Sequence, residues 1–349
     1  MGEHDIPLQV TTVDYHAGGE PFRIVTGGVR PLEGRTILER RRFAREVLDR
    51  VRHLVVDEPR GHADMYGCFV TEPDDAAADL GVVFFHNEGY STACGHGTIA
   101  LVTWAIESGR IPTRAPEEEI LVDVPSGRLA CLVRMDPDGV HVASVRFRNV
   151  PAFVLARDVP IATSAGIVSC AVAYGGAFYA SVDVRALGLD VSPARLTRLI
   201  ALQRELRPGL DAALDVVHPE EPELRGIYGV IYWQDEPTSE ADRAAGVALT
   251  QRNVTVFADG EVDRSPCGSG TSARLALLAA EGRLGPDGRG ALRHLSVVDS
   301  AFLGRAVAET DVAGRPAVVT TVEGSAYLTG RHDFTLDPRD PLGTGFLLR

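Results

Sequence analysis

The chain has 349 residues, 45% of them hydrophobic, and carries 48 acidic against 35 basic residues for a formal net charge of −13. That length allows two ordinary domains with a large buried core, and a mean hydropathy near zero describes a soluble, globular protein. The acidic balance removes the counterion-release attraction that draws proteins to nucleic acid or anionic membranes, so neither is expected as a partner.

In chain order, Leu8 to Asp14 alternates as a strand does and runs into His16-Ala-Gly-Gly-Glu-Pro21, a turn that returns through Phe22 to Thr26. A helix is predicted from Thr36 to Val51, with Ile37, Phe43, Val47 and Leu48 on its apolar side. A strand from Gly81 to His86 leads toward Tyr90-Ser-Thr-Ala-Cys-Gly-His-Gly-Thr-Ile-Ala100, which opens an almost wholly apolar helical run ending at Gly109. Strands follow at Ile120–Val124, Leu129–Met135 and Val140–Arg148, joined by turns at Pro125-Ser-Gly127 and Asp136-Pro-Asp-Gly139.

The same order then returns. Ser169 to Tyr174 runs into Gly175-Gly176 and comes back through Phe178 to Val184; a helix follows from Pro193 to Leu206, with Leu196, Leu199, Ile200 and Leu206 apolar. A strand from Val254 to Ala258 precedes Asp263-Arg-Ser-Pro-Cys-Gly-Ser-Gly-Thr-Ser-Ala-Arg274, and a second apolar run stops at Gly282. Leu295–Val298, Ala301–Glu309 and Ala317–Val322 repeat the strand layout around a turn at Val312-Ala-Gly314. The sequence therefore reads as two copies of one α/β (α+β) unit, each a curved sheet wrapped about a buried central helix. A boundary is expected near Arg157, giving halves 1–157 and 158–330. The strand-like Phe346-Leu-Leu348 suggests that the tail 331–349 crosses back to complete the first half.

The two cysteine motifs align as Cys94-Gly95-His96-Gly97-Thr98 and Cys267-Gly268-Ser269-Gly270-Thr271, and each cysteine stands fifteen residues before its helix-ending glycine. Each thiol thus precedes a helix whose first N–H groups have no partner within the helix, and the following glycines let a ligand approach that backbone. The positive helix end favours thiolate, so each sulfur is expected to be more acidic than a free cysteine and able to act as a base near neutral pH. Two such sites facing each other would hold one small carboxylate between two sulfurs.

Other readings of these residues are weaker. A phosphate cradle has no need of cysteine, and a thiol protease brings its base from a distant segment rather than from His96, two residues away. Metal binding is not expected, because His62, His86 and His96 lack paired-ligand spacing. Asp263 could simply cap a turn, but its place four residues before Cys267 suits a carboxylate that receives a substrate ammonium. Asn253-Val-Thr255 fits a glycosylation sequon by chance. The chain contains no lysine, which removes Schiff-base and pyridoxal-phosphate chemistry and the P-loop; no cofactor is expected. Five widely spaced cysteines suit reduced thiols, no apolar run reaches a membrane span, and the N-terminal residues lack a signal pattern, so a cytoplasmic location is expected.

The two cysteine motifs, together with His16-Ala-Gly-Gly-Glu-Pro21 and Tyr174-Gly-Gly-Ala-Phe-Tyr179, resemble the proline racemase family over nearly the whole chain. The resemblance implies a diaminopimelate-epimerase-like fold of two pseudo-symmetric domains. It implies Cys94 and Cys267 as the acid/base pair, Gly95, His96, Gly268 and Ser269 at the substrate carboxylate, and His96 with Asp263 at the ring nitrogen. The implied partner is a small molecule, proline or 4-hydroxyproline, whose Cα is inverted; a homodimer is compatible with this reading. Glu58-Pro-Arg-Gly-His-Ala-Asp-Met-Tyr-Gly67 and His86-Asn-Glu-Gly-Tyr-Ser91 look closest to the trans-3-hydroxy-L-proline dehydratase branch, which typically has threonine where this chain has Cys267. Inversion needs an acid and a base on opposite faces of Cα, whereas elimination of a 3-hydroxyl needs one base at Cα. A dehydratase is therefore the alternative, and a non-catalytic binder of imino acids a second one.

Overall fold

The structure, a computed structural model, describes residues 9–113 and 115–348; Leu8, where the first strand is predicted to begin, lies outside them. It divides into two compact units, one formed by Met1–Val145 with Ser325–Arg349 and the other by Arg146–Gly324.

In the first unit, β1 (Gln9–Ala17) and β2 (Glu20–Gly27) form a hairpin whose turn residues Gly18 and Gly19 both have positive φ. Thr36 and Glu39 form a reciprocal capping box that starts α1 (Ile37–Phe43), and a π-helical stretch at Ala44–Leu48 carries the chain into α2 (Asp49–Val56). The helical run therefore outlasts the expected end at Val51. The next strand, β3 (Tyr66–Thr71), is not evident in the sequence: its first four residues are all buried, so it lacks the alternation that marks a half-exposed strand. β4 (Leu80–His86) leads to α3 (Gly95–Glu107), followed by β5 (Glu117–Val124), β6 (Gly127–Met135) and β7 (Val142–Arg148). The division between the units falls within β7.

The second unit contains β8 (Ala152–Thr163), β9 (Gly166–Tyr174), β10 (Phe178–Asp183), α4 (Leu196–Ala213), β11 (Ile227–Glu236), α5 (Glu240–Ala244) and β12 (Val247–Phe257). Then come β13 (Glu261–Asp263), α6 (Gly268–Ala280), β14 (Ala291–Leu295), β15 (Ala301–Val312) and β16 (Arg315–Gly324), after which β17 (Ala326–Thr335) belongs to the first unit. The proline-bearing stretch around Arg157 is part of β8, where register shifts beside Ala156 accommodate an irregular pairing with β9. Residues 296–300 form a turn closed by Ser296 N–H to the Ser300 carbonyl at 2.8 Å, so the strand expected at Leu295–Val298 lies earlier, in β14. Pro208 sits inside α4 and the helix continues past it, beyond the expected end at Leu206.

The pairing pattern carries the repeat. The first unit runs β17–β1–β2–β3–β4–β5–β6, antiparallel except for the parallel pairs β2–β3 and β4–β5. The second runs β8–β9–β10–β11–β12–β14–β15–β16, antiparallel except for β10–β11 and β12–β14, and closes by pairing β16 with β8. Inside each wall lies one helix: α3 packs on β1, β2, β3, β6 and β17, and α6 on β8, β9, β10, β15 and β16. All of α3 from Gly95 to Ile106 and all of α6 from Gly268 to Leu278 are buried. A helix buried all round is stable only in such a wall, where each large aliphatic side chain contributes roughly 1.5–3 kcal/mol on burial. The one charge that α6 buries, Arg274, donates its Nε–H to Gln251 Oε1 at 2.9 Å and lies over the Trp233 ring. Among the described residues, no helix is long and apolar enough to cross a membrane.

Candidate active site

In the first unit Cys94 caps α3 from extended backbone (φ −152°), and its Sγ accepts the Gly97 N–H at 3.2 Å. The same sulfur lies 3.6 and 3.5 Å from Nδ1 and Nε2 of His96. His96 is buried edge-on between Tyr66 (centroids 5.1 Å apart, 84°) and Phe22 (5.7 Å, 85°), and the Tyr66 hydroxyl donates to Ser91 Oγ. Gly97 is required by space: a Cβ there would stand 2.6 Å from Cys94 Sγ and 2.5 Å from the Phe22 ring. Gly95 is the first residue of the helix, so Cys94, Gly95 and His96 share one turn of backbone.

In the second unit Cys267 caps α6, but with φ +63°, in the left-handed region that a residue with a Cβ seldom adopts. Several bonds hold it there. The Cys267 N–H donates to Ser265 Oγ at 3.0 Å, and Ser265 N–H donates to Asp263 Oδ1 at 2.8 Å. The Pro266 carbonyl accepts Asn253 Nδ2 at 3.2 Å and Thr271 Oγ1 at 3.3 Å. Unlike Cys94, Cys267 makes no side-chain cap bond to its helix; its sulfur lies against Gly270, where an added Cβ would stand 2.9 Å away, and 3.7 Å from the Tyr179 hydroxyl, which in turn lies 2.7 Å from Ser269 Oγ. The turn at Gly175 passes so close to α6 that a Cβ there would meet the Ser269 carbonyl at 2.3 Å.

Electrostatics overturns one expectation. Burial, and secondarily the Asp263 carboxylate, push the Cys267 thiol up to about 12, against the influence of the nearby Gly270 N–H and the hydroxyls of Tyr179 and Thr255, which favour thiolate. The helix end is present, but desolvation outweighs it, so this sulfur rests as a thiol rather than as the acidified base expected. Asp263 is itself pushed up to about 6 by burial, partly offset by its bonds from Ser265. It therefore caps a turn and faces the thiol at once.

The structure thus brings Cys94, Gly95 and His96 together in one unit and Asp263, Cys267, Gly268 and Ser269 together in the other. Sequence reasoning passed over Tyr66, Tyr179 and Thr255. Tyr179 closes the Tyr174-Gly-Gly-Ala-Phe-Tyr179 motif, its one signal in the sequence; Asn253 and Thr255 belong to the Asn253-Val-Thr255 sequon, and both are buried beside the Cys267 turn. Among the described residues, no group of three or more His, Cys, Asp or Glu side chains is arranged to hold a metal ion.

Two α/β units of matching topology, each presenting a capping cysteine at the start of an enclosed helix, define an epimerase-type fold. At the level of fold alone, a phenazine biosynthesis protein of the PhzF family from Bacillus anthracis matches with a TM-score of 0.57 over 93% of this chain at 12% identity. The chain belongs to the proline racemase family, whose model, described as proline racemase, matches residues 12–347. It is 44% identical over 97% of its length, and 98% of the relative's, to a trans-3-hydroxy-L-proline dehydratase from Bacillus cereus. It is 46% identical to a 3-hydroxyproline 2-epimerase from Burkholderia multivorans, covering 99% of both chains. The crystal structure of a hydroxyproline epimerase from Agrobacterium vitis with bound trans-4-hydroxy-L-proline matches with a TM-score of 0.88 at 32% identity, covering 98% of this chain and 96% of that one. The protein is an enzyme of this family.

Proposed function

We propose that the enzyme inverts Cα of proline or a hydroxyproline without a cofactor, using Cys94 and Cys267 as a base and acid pair. The observation that carries the reading is the correspondence of the two sulfurs: each stands at the N-cap of an enclosed helix and lies against the glycine three residues on, where an added Cβ would stand 2.6 Å from Cys94 Sγ and 2.9 Å from Cys267 Sγ. One thiolate takes the Cα proton, breaking C–H and forming S–H, and the charge passes into the carboxylate, where helix-end N–H groups at Gly95-His96 and Gly268-Ser269 stabilise it. The other thiol then gives its proton to Cα from the opposite face. The elevated Cys267 thiol suits it to rest as the acid of the pair, and substrate of the opposite hand is processed with the roles exchanged. His96 and Asp263 are proposed to meet the ring nitrogen.

A second reading, elimination of water from trans-3-hydroxy-L-proline, is favoured by the 44–46% identity to relatives named for that reaction. The relative named 3-hydroxyproline 2-epimerase, at 46% identity, supports inversion instead and widens the candidate substrates to the 3-hydroxy ring. Position 267 separates the two chemistries. Cys267→Ser is expected to lower inversion by at least about 10²-fold, the scale of a lost general acid or base. Cys267→Thr is expected to lose inversion while eliminating water from trans-3-hydroxy-L-proline, scored by chiral chromatography and by pyrroline-2-carboxylate formation. Full inversion by both variants would remove the two-cysteine mechanism.

A further inference from the structure

Tyr179 is buried in β10, a strand held on both sides by β9 and β11, and its ring is braced edge-on by Tyr228 (5.6 Å, 81°), which stacks on Phe257 (5.4 Å, 14°). Its hydroxyl is thereby fixed between two functional atoms, 3.7 Å from Cys267 Sγ and 2.7 Å from Ser269 Oγ. A phenol can donate one hydrogen bond and accept others, so this three-atom chain has two polarities. With Cys267 as thiol, S–H points to the Tyr179 oxygen and the phenol hydrogen to Ser269. With Cys267 as thiolate, the phenol hydrogen turns to the sulfur and Ser269 can donate to the phenol oxygen.

We infer that Tyr179 is a further member of the acid/base machinery, a hydroxyl that reorients with the proton of Cys267 and stabilises its thiolate form, while coupling that change to Ser269. The inference rests on the two-cysteine reading of the reaction. No proton leaves the phenol; only its hydrogen bond changes partner. A rigid donor waiting beside a buried sulfur stabilises charge as it forms, because nothing around it has to reorganise. The other groups packed about this sulfur are the Asp263 carboxylate, which opposes thiolate, and Thr255 and the Gly270 N–H, which favour it; Arg264 adjoins Asp263, and His294 reaches only the far side of the turn through Thr271.

The test is the pH profile of iodoacetamide alkylation at Cys267, followed by peptide mass spectrometry in a Cys94→Ser background. Tyr179→Phe is expected to move the alkylation midpoint up by about one pH unit, about tenfold slower modification at a fixed pH below it. Site-specific 3-fluorotyrosine at position 179 keeps the bond with a more acidic phenol and is expected to move the midpoint down, which a packing defect would not do. An unchanged midpoint in both proteins, or shifts of the same sign, would overturn the inference. Turnover is read separately on the parent protein: absence of inversion there with both midpoint shifts present would fault the two-cysteine reading, and the converse would fault only the role of Tyr179.

Discussion

Asp263 shows how one buried carboxylate can set both stability and reactivity. In an unfolded chain it would titrate near 3.9, whereas burial holds it up to about 6 in the folded protein. Between those values the native state keeps a proton that the unfolded state has lost, so its contribution to stability falls as pH rises from about 4 to about 6 and stays lost above. Asp263→Asn retains an oxygen for the Ser265 N–H and cannot ionise. It is expected to be more stable than the parent above pH 6, by on the order of 2–3 kcal/mol, with the advantage vanishing below pH 4. Thermal melts at pH 4 and pH 7.5 check this; a variant no more stable than the parent at pH 7.5 would mean that the carboxylate is better compensated than its burial implies. At this scale the cysteines and their neighbouring glycines were legible, because a repeated motif at a helix start is a local pattern. The high thiol of Cys267 and the contacts of Tyr179 and Thr255 were not, because burial and approach across strands leave no mark on local spacing.

Among the elements, the strands and helices that repeat with their turns were legible, and those buried on both faces were not. β11, like β3, begins with residues mostly buried on both faces, and α4 runs on through Pro208 because Leu206 and Leu210 pack into the second unit's core. The glycine turns carry tertiary information that propensity alone reads as a simple bend. At Gly175 an added Cβ would meet the Ser269 carbonyl at 2.3 Å and the Ala273 nitrogen at 2.5 Å, both of them helix backbone that cannot swing aside. Gly175→Ala is therefore expected to destabilise the protein by about 1–3 kcal/mol. The start of α6 should move with it, so turnover is expected to fall while overall secondary structure persists. Denaturant unfolding and activity assays check both; unchanged stability and turnover would show that the turn can retreat at no cost.

For the whole molecule, the repeat seen in sequence recurs as a repeat of strand pairings, in which one parallel pair lies before each cysteine helix and a second joins the strands that flank it. On the proposed reading, two copies of a one-cysteine module would supply an acid and a base of the same kind for inversion of a stereocentre, each with its own helix end for the carboxylate. The broad sequence leans toward relatives named as dehydratases, and Cys267 leans toward inversion. The deciding measurement is one-dimensional proton NMR of the purified enzyme in D₂O with L-proline, trans-4-hydroxy-L-proline and trans-3-hydroxy-L-proline in turn, with no cofactor added. The account predicts loss of the Cα proton signal with appearance of the opposite Cα configuration for at least one substrate. Reaction of trans-3-hydroxy-L-proline alone, yielding pyrroline-2-carboxylate and no epimer, would contradict it.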